Sequence, residues 1–101
     1  MRLKAKVDAN QKQIVTALRD AGCSVQSLAA TGRGVPDLLV GRAGKNILME
    51  IKDGSRTPSE RKLTPDQEIW HSAWRGQIHV VTSTDDALRL IETINFSERK
   101  I

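Results

Sequence analysis

Two carboxylates and one lysine stand at the ends of two short apolar runs. Asp37 precedes Leu38-Leu39-Val40, and Glu50 and Lys52 close the run Ile47-Leu48-Met49-Glu50-Ile51-Lys52. The segment between them, Gly41-Arg42-Ala43-Gly44-Lys45-Asn46, is polar and holds two glycines. This pattern predicts a hairpin of two half-buried strands, 37–41 and 46–52. Side chains alternate across a strand, so Glu50 and Lys52 share one face while Met49 and Ile51 share the other. Two acids and an ammonium held in one small volume suit the binding of a divalent cation. They also suit stabilisation of the charge that develops when a phosphodiester is hydrolysed. Each residue has an ordinary alternative: Asp37 as a turn former after Pro36, Glu50 as a solvent-facing guard on an edge strand, and Lys52 as a solvated strand end. A carboxylate without compensation in a half-buried strand is costly. A metal or Lys52 would compensate it, which favours the site reading for the group as a set.

The elements that must position these residues follow from periodicity and caps. Asp8 or Asn10 can open a helix that runs to about Asp20 or Ala21, with Ile14, Ala17, Leu18 and Ala21 on one buried stripe and Gly22 as the stop. Residues 24–29 are a weak strand, and Thr31-Gly32-Arg33-Gly34 is a loop. The polar stretch 53–62 carries no hydrophobic anchor and is expected to be mobile. Thr64-Pro65-Asp66-Gln67 opens a second helix, with Thr64 capping, Pro65 at the first helical position and Gln67 closing a capping box. Ile69, Trp70, Ala73 and Trp74 form its apolar face, with core packing as the expected role of the tryptophans. His71, four residues beyond Gln67 on a neighbouring face, could touch the same groove, but a lone histidine reads first as a surface residue and is left out of the catalytic set. Residues 77–81 are a strand. Thr84 is expected to cap a last helix, and 97–101 to fray. The order is α-β-β-β-α-β-α, which predicts an α/β fold: a mixed sheet flanked by helices on both faces.

The string Pro36-Asp37, twelve residues, then Glu50-Ile51-Lys52 is similar to the PD-(D/E)XK nucleases. The flanking Gly34-Val35-Pro36-Asp37-Leu38-Leu39-Val40-Gly41 and Leu63-Thr64-Pro65-Asp66-Gln67 resemble the VRR-Nuc branch in its small stand-alone phage form, over roughly residues 10–82. The resemblance implies a restriction-endonuclease-like core and a Mg2+- or Mn2+-dependent deoxyribonuclease. It implies cleavage of branched or otherwise structured DNA, as by a Holliday-junction resolvase. On this reading Asp37, Glu50 and the main-chain carbonyl of Ile51 hold the metal, and Lys52 assists the water and the phosphate. Gln67 matches a glutamine that the family keeps near the active centre, although its capping role is by itself a sufficient reason for it. Relatives often carry a first-helix glutamate. This chain has none on the buried stripe, and Gln11 is either its neutral counterpart or a plain surface residue. A DNA partner would be contacted by Arg33, Arg42, Lys45, Arg56, Arg61 and Lys62 through phosphates, and a small chain of this type is expected to form a homodimer. Two other readings stay open: a non-catalytic DNA-binding module with the same fold, and a subunit of a larger nuclease.

Composition agrees without deciding. The 101 residues make one domain, with a core over about 10–95. Sixteen Lys and Arg against twelve Asp and Glu give a net charge of +4, a mild bias towards a polyanion. Only 3% of residues are aromatic, so aliphatic side chains must fill the core. The single Cys23 excludes an internal disulfide and a structural zinc cluster and reads as a small buried residue. Arg2, Lys4 and Lys6 precede no apolar run, and no segment has the length of a membrane span. A cytoplasmic location is expected, that of the host cell if the chain is phage-encoded, with neither a membrane nor a small-molecule cofactor involved.

Overall fold

The hairpin forms where the apolar runs predict it. The computed structural model describes residues 9–99, with side chains up to residue 94. Strands β2 (Leu38–Arg42) and β3 (Lys45–Ile51) pair antiparallel, with Leu38 opposite Met49 and Val40 opposite Ile47. Their turn is narrower than the six polar residues suggest. It is only Ala43–Gly44, with φ of 53° and 79°. Positive φ at both positions gives the turn whose twist matches that of the flanking strands, so Gly41 and Asn46 are drawn into the ladder instead of the loop. Strand β1 (Ser24–Ser27) pairs antiparallel with β2, and β4 (Ile78–Val81) pairs parallel with β3. The result is a four-stranded mixed sheet in the order β1-β2-β3-β4. Helices α1 (Gln11–Asp20), α2 (Pro65–Ala73) and α3 (Thr84–Arg99) complete an α/β fold, and α2 lies in the crossover between the parallel strands.

The core lies on one face of the sheet. Leu38 and Val40 of β2, Ile47, Met49 and Ile51 of β3, and Val81 of β4 meet Ile14 and Leu18 of α1 and Ala87, Ile91 and Ile94 of α3. Alternation makes this possible, because every second residue of the hairpin points the same way. Cys23 is buried in this cluster. The stripe predicted for α1 is narrower than expected: Ile14 and Leu18 are buried, Ala17 is half-buried and Ala21 is exposed.

Helix α2 corrects the sequence reading most. Its start is as predicted: Thr64 and Gln67 form both halves of a capping box, with Pro65 at the first helical position. Its apolar residues do not enter the core. None of its residues is buried, and Ile69 and Trp74 are 68% and 48% exposed. Trp70 and Trp74 stack on each other, with centroids 4.7 Å apart and planes 17° from parallel. The α2-side face of the sheet carries Glu50 and Lys52 among its central residues, with Leu48 as the buried apolar residue beside them.

Four local features also differ from the expectation. Asn10 precedes α1, but its side chain makes no capping bond; Asp8 lies outside the described residues. Ser83, not Thr84, caps α3, because its hydroxyl accepts from the Asp86 N–H at 3.0 Å. Segment 53–62 is organised by local bonds. Asp53 accepts from the Ser55 N–H and hydroxyl, and Thr57 and Glu60 cap a 3-10 turn over Pro58–Arg61. Helix α3 continues to Arg99, past the point where fraying was expected; residues 100 and 101 lie outside the described residues.

Gly34 fixes the loop before β2 against α2. Its φ is +84°, and a Cβ there would overlap the main-chain carbonyl of Asp66. Gly32 also has positive φ (+70°), but a Cβ there would meet nothing within 4 Å. Gly32→Ala should therefore carry only the cost of the left-handed backbone, about 1 kcal/mol. Gly34→Ala should cost at least about 2–3 kcal/mol, because backbone must also move. Urea denaturation of the two variants checks this, and equal costs would mean that the loop does not rest on α2.

Candidate functional site

Glu50 and Lys52 leave β3 on the face opposite the core, yet both are buried, at 2% and 9% exposure. Burying a carboxylate and an ammonium is unfavourable unless they are paired and hydrogen-bonded. Their own contact is loose, with Lys52 Nζ 3.7 Å from Glu50 Oε2. Gln67 closes the gap. Its Nε2 donates to Glu50 Oε2 at 3.0 Å, and its Oε1 accepts from Lys52 Nζ at 2.8 Å. The same Oε1 accepts from the Thr64 N–H at 2.9 Å in the capping box. These partners fix the amide's orientation: two donors require the oxygen on one side, and a carboxylate requires the nitrogen on the other. The two readings of Gln67, helix cap and site residue, are therefore one arrangement.

Asp37 approaches from the end of the preceding loop. Its Oδ2 accepts from the Ile51 N–H at 2.7 Å, which ties the carboxylate to the end of β3. Its main-chain carbonyl accepts from the Leu28 N–H at 2.8 Å. Asp37, Glu50, Lys52 and Gln67 all line a cleft of about 510 Å3, whose wall also includes Arg33, Arg56, Lys62, Asp53, Glu60 and Asp66. The Ser55 hydroxyl, then its N–H, holds Asp53 below the usual carboxylate range. The Thr57 N–H, then its hydroxyl, does the same for Glu60. Both rim acids therefore keep their charge. The cleft is not uniformly basic: Asp37, Glu50, Asp53, Glu60 and Asp66 face Arg33, Lys52, Arg56 and Lys62.

Of the six predicted phosphate contacts, the structure brings Arg33, Arg56 and Lys62 to the cleft. Arg61 turns its Nε to the Arg56 carbonyl at 3.0 Å. Arg42 and Lys45 lie at the turn end of the hairpin. At about 3.3 Å per residue, this places Lys45 roughly 17 Å along β3 from Glu50. Arg42 is used structurally, donating to the Ala21 carbonyl at 2.7 Å. Gln11 is buried at the start of α1 and is not among the residues lining the cleft. Its Oε1 has no hydrogen-bond partner among the described residues.

Two residues at the site are not among the candidates that the sequence suggests. His71 Nε2 lies 3.9 Å from Glu50 Oε1, one turn along α2 from Gln67. Burial first, then the charge of Lys52, holds the imidazole below its ordinary pKa, so it is neutral at pH 7. The i, i+4 spacing from Gln67 was the available signal. Asn10 Nδ2 donates to the carbonyls of Lys52 and Thr82 at 3.2 and 3.1 Å, fastening the ends of β3 and β4 to the start of α1. No sequence signal marks a contact across 42 residues.

In comparisons with known proteins, no family model, curated protein or solved structure matches this chain. Among the described residues, no helix is long and apolar enough to cross a membrane.

The dual role of Gln67 can be separated by substitution. Gln67→Glu keeps an oxygen for the Thr64 N–H and for Lys52. It replaces the donor facing Glu50 with a second carboxylate. The helix cap should survive, while the raised pKa of the new carboxylate pair makes the folded state bind protons more tightly than the unfolded one. In metal-free buffer the variant should melt below wild type at pH 7, and the gap should narrow as the pH falls towards 4. A pH-independent gap would place the loss in the helix and not at Glu50.

Proposed function

We propose that this chain is a metal-dependent deoxyribonuclease with a restriction-endonuclease-like core, of the VRR-Nuc branch of the PD-(D/E)XK nucleases, acting on branched DNA. The observation that carries this reading is the convergence of Asp37, Glu50 and Lys52 on one cleft, with the last two buried where apolar residues would pack at less cost. The donor set fits a hard cation. The two carboxylates offer only oxygens, and Mg2+ is commonly held by one or two carboxylates with water and substrate phosphate filling the rest. Ile51 is fully buried and is not among the residues that line the cleft, so its carbonyl is not part of this donor set. When bound, such an ion supplies charge neutralisation at the phosphate and a more acidic water. Asp37 is held for this role by the Ile51 N–H, and Glu50 by the Gln67 amide. Lys52 gives one N–H to Gln67. Its remaining protons can donate to a phosphate oxygen as charge builds there, or orient the attacking water. Arg33, Arg56 and Lys62 would hold neighbouring phosphates. A homodimer, with one site for each of two strands, belongs to the same reading.

One observation favours the non-catalytic DNA-binding alternative. Among the described residues, no group of three or more His, Cys, Asp or Glu could hold a metal. A cleavage assay decides between the two. Wild type should cut flapped, splayed or four-way DNA in Mn2+ and not in EDTA. Lys52→Met should abolish most cleavage while DNA affinity changes little. Asp37→Asn keeps an oxygen for the Ile51 N–H and should fold. It should lose cleavage and the metal-dependent stabilisation, which for wild type is on the order of 2.7 kcal/mol at a hundredfold excess of Mn2+ over its Kd. Metal-free, the variant should be no less stable than wild type, because a like charge is gone. A wild-type melt that Mn2+ does not shift, with no cleavage of any substrate, would rule the nuclease out.

The rim residues give a separate expectation. Replacing Arg56 and Lys62 with serine should flatten the log–log salt dependence of DNA binding by about one unit for each phosphate that the two side chains neutralise. The same change at Arg42 and Lys45 should leave the slope as it is, and a fluorescence titration across salt concentrations measures both.

A further inference from the structure

A second pocket, of about 360 Å3, opens beside the cleft and is lined by Arg33, Asp66, Ile69 and Trp70. Arg33 and Asp66 line the cleft as well, so the two spaces share a wall. We propose that this pocket receives an unstacked nucleobase belonging to the DNA strand whose phosphate lies in the cleft. The inference rests on the DNA-binding part of the reading above and adds a specificity: the strand must offer an unpaired nucleotide next to the cleft.

The pocket has the chemistry of a base site. Ile69 presents an apolar side chain that is 68% exposed, with no place in the core cluster. Trp70 forms a neighbouring wall, and the Trp74 ring stacked against it stiffens it. Sequence-tolerant capture of bases relies on such flat, apolar and aromatic surfaces. The Arg33 guanidinium offers donors and a planar face, and the Asp66 carboxylate offers acceptors, so the edge of a base would find both kinds of partner. The pocket is also preformed. Arg33 sits at a φ of 57°, between the positive-φ residues Gly32 and Gly34, and Gly34 lies against the Asp66 backbone. The space is too small for a protein surface. The base of a nucleotide lies one sugar away from its phosphate, which matches a pocket sharing a wall with a phosphate cleft. A paired base reaches such a pocket only after unpairing and unstacking, a cost that a bulge, flap or junction nucleotide largely avoids.

The test uses the full chain in EDTA, so that binding is read without cleavage. The probes are a short duplex with one bulged fluorescent aminopurine nucleotide, the same duplex fully paired, and the same bulge with an abasic nucleotide. Wild type should bind the aminopurine bulge about tenfold more tightly than the paired duplex and quench its fluorescence; the abasic bulge should lose that advantage. Ile69→Ser, at an exposed position that touches neither Glu50 nor Lys52, should bind all three probes alike, at the affinity wild type has for the paired duplex. Circular dichroism melts confirm that the variant is folded. Equal affinities in wild type, or a preference that survives Ile69→Ser, would overturn the proposal. Cleavage in Mn2+ without a bulge preference overturns the pocket and leaves the nuclease reading standing. A bulge preference without cleavage does the reverse, and no DNA binding at all overturns both.

Discussion

The Gln67 side-chain amide is the group on which the rest of this site depends. It meets a helix N-terminal N–H, an ammonium and a carboxylate within one hydrogen-bond length of each. Without it, Glu50 and Lys52 would stand 3.7 Å apart, too far for a good hydrogen bond. Because the same oxygen caps α2, the angle at which the helix leaves its cap and the position of the charged pair are set together. Helix and site are coupled by one residue, which explains why α2 stays in place although none of its own side chains is buried. Bonds at its N-terminus, and the close approach of Gly34 to Asp66, anchor it where apolar packing does not.

That anchoring explains which parts of the chain were legible in sequence. The hairpin, the order of elements and the α2 cap are short-range features, written in apolar alternation, glycine placement and the Thr64-Pro65-Asp66-Gln67 string. They appear in the structure within a few residues of where the pattern places them. The grouping of Asp37 with Glu50 and Lys52 was legible for the same reason, since a hairpin places its outer ends together. What failed was the inference that apolar residues at helical spacing must be buried. Ile69, Ala73 and Trp74 satisfy the period, and the sheet face below them is charged, so the pattern is present without the burial. Arg42 and Lys45 are near the site residues in sequence but not among the residues lining the cleft, because the turn lies at the far end of both strands. Asn10 acts through a contact that no local pattern encodes, whereas His71 is marked only by its i, i+4 spacing from Gln67.

The two faces of the sheet divide stability from chemistry. Alternation along β3 gives Ile47, Met49 and Ile51 to a dry cluster closed by α1 and α3. The same strand gives Glu50 and Lys52 to the opposite side. A domain of this size buries only a little over 60% of its unfolded surface, so its core has little to spare. Concentrating the apolar contacts on one face lets the other tolerate desolvated charge without loss of the fold. The arrangement has a consequence for rigidity. Asp37 and Glu50 are held from β3 and from α2 by hydrogen bonds to an N–H and to an amide. Their separation is therefore set by the backbone of the sheet and the register of a helix cap. A cation entering the cleft would meet oxygens already in position, so little ordering entropy would remain to be lost on binding. The exposed Ile69 and the stacked tryptophans follow from the same division. With the charged pair beneath α2, Ile69 and Trp74 face outward while Trp70 is half-buried, and Ile69 and Trp70 line a pocket beside the cleft.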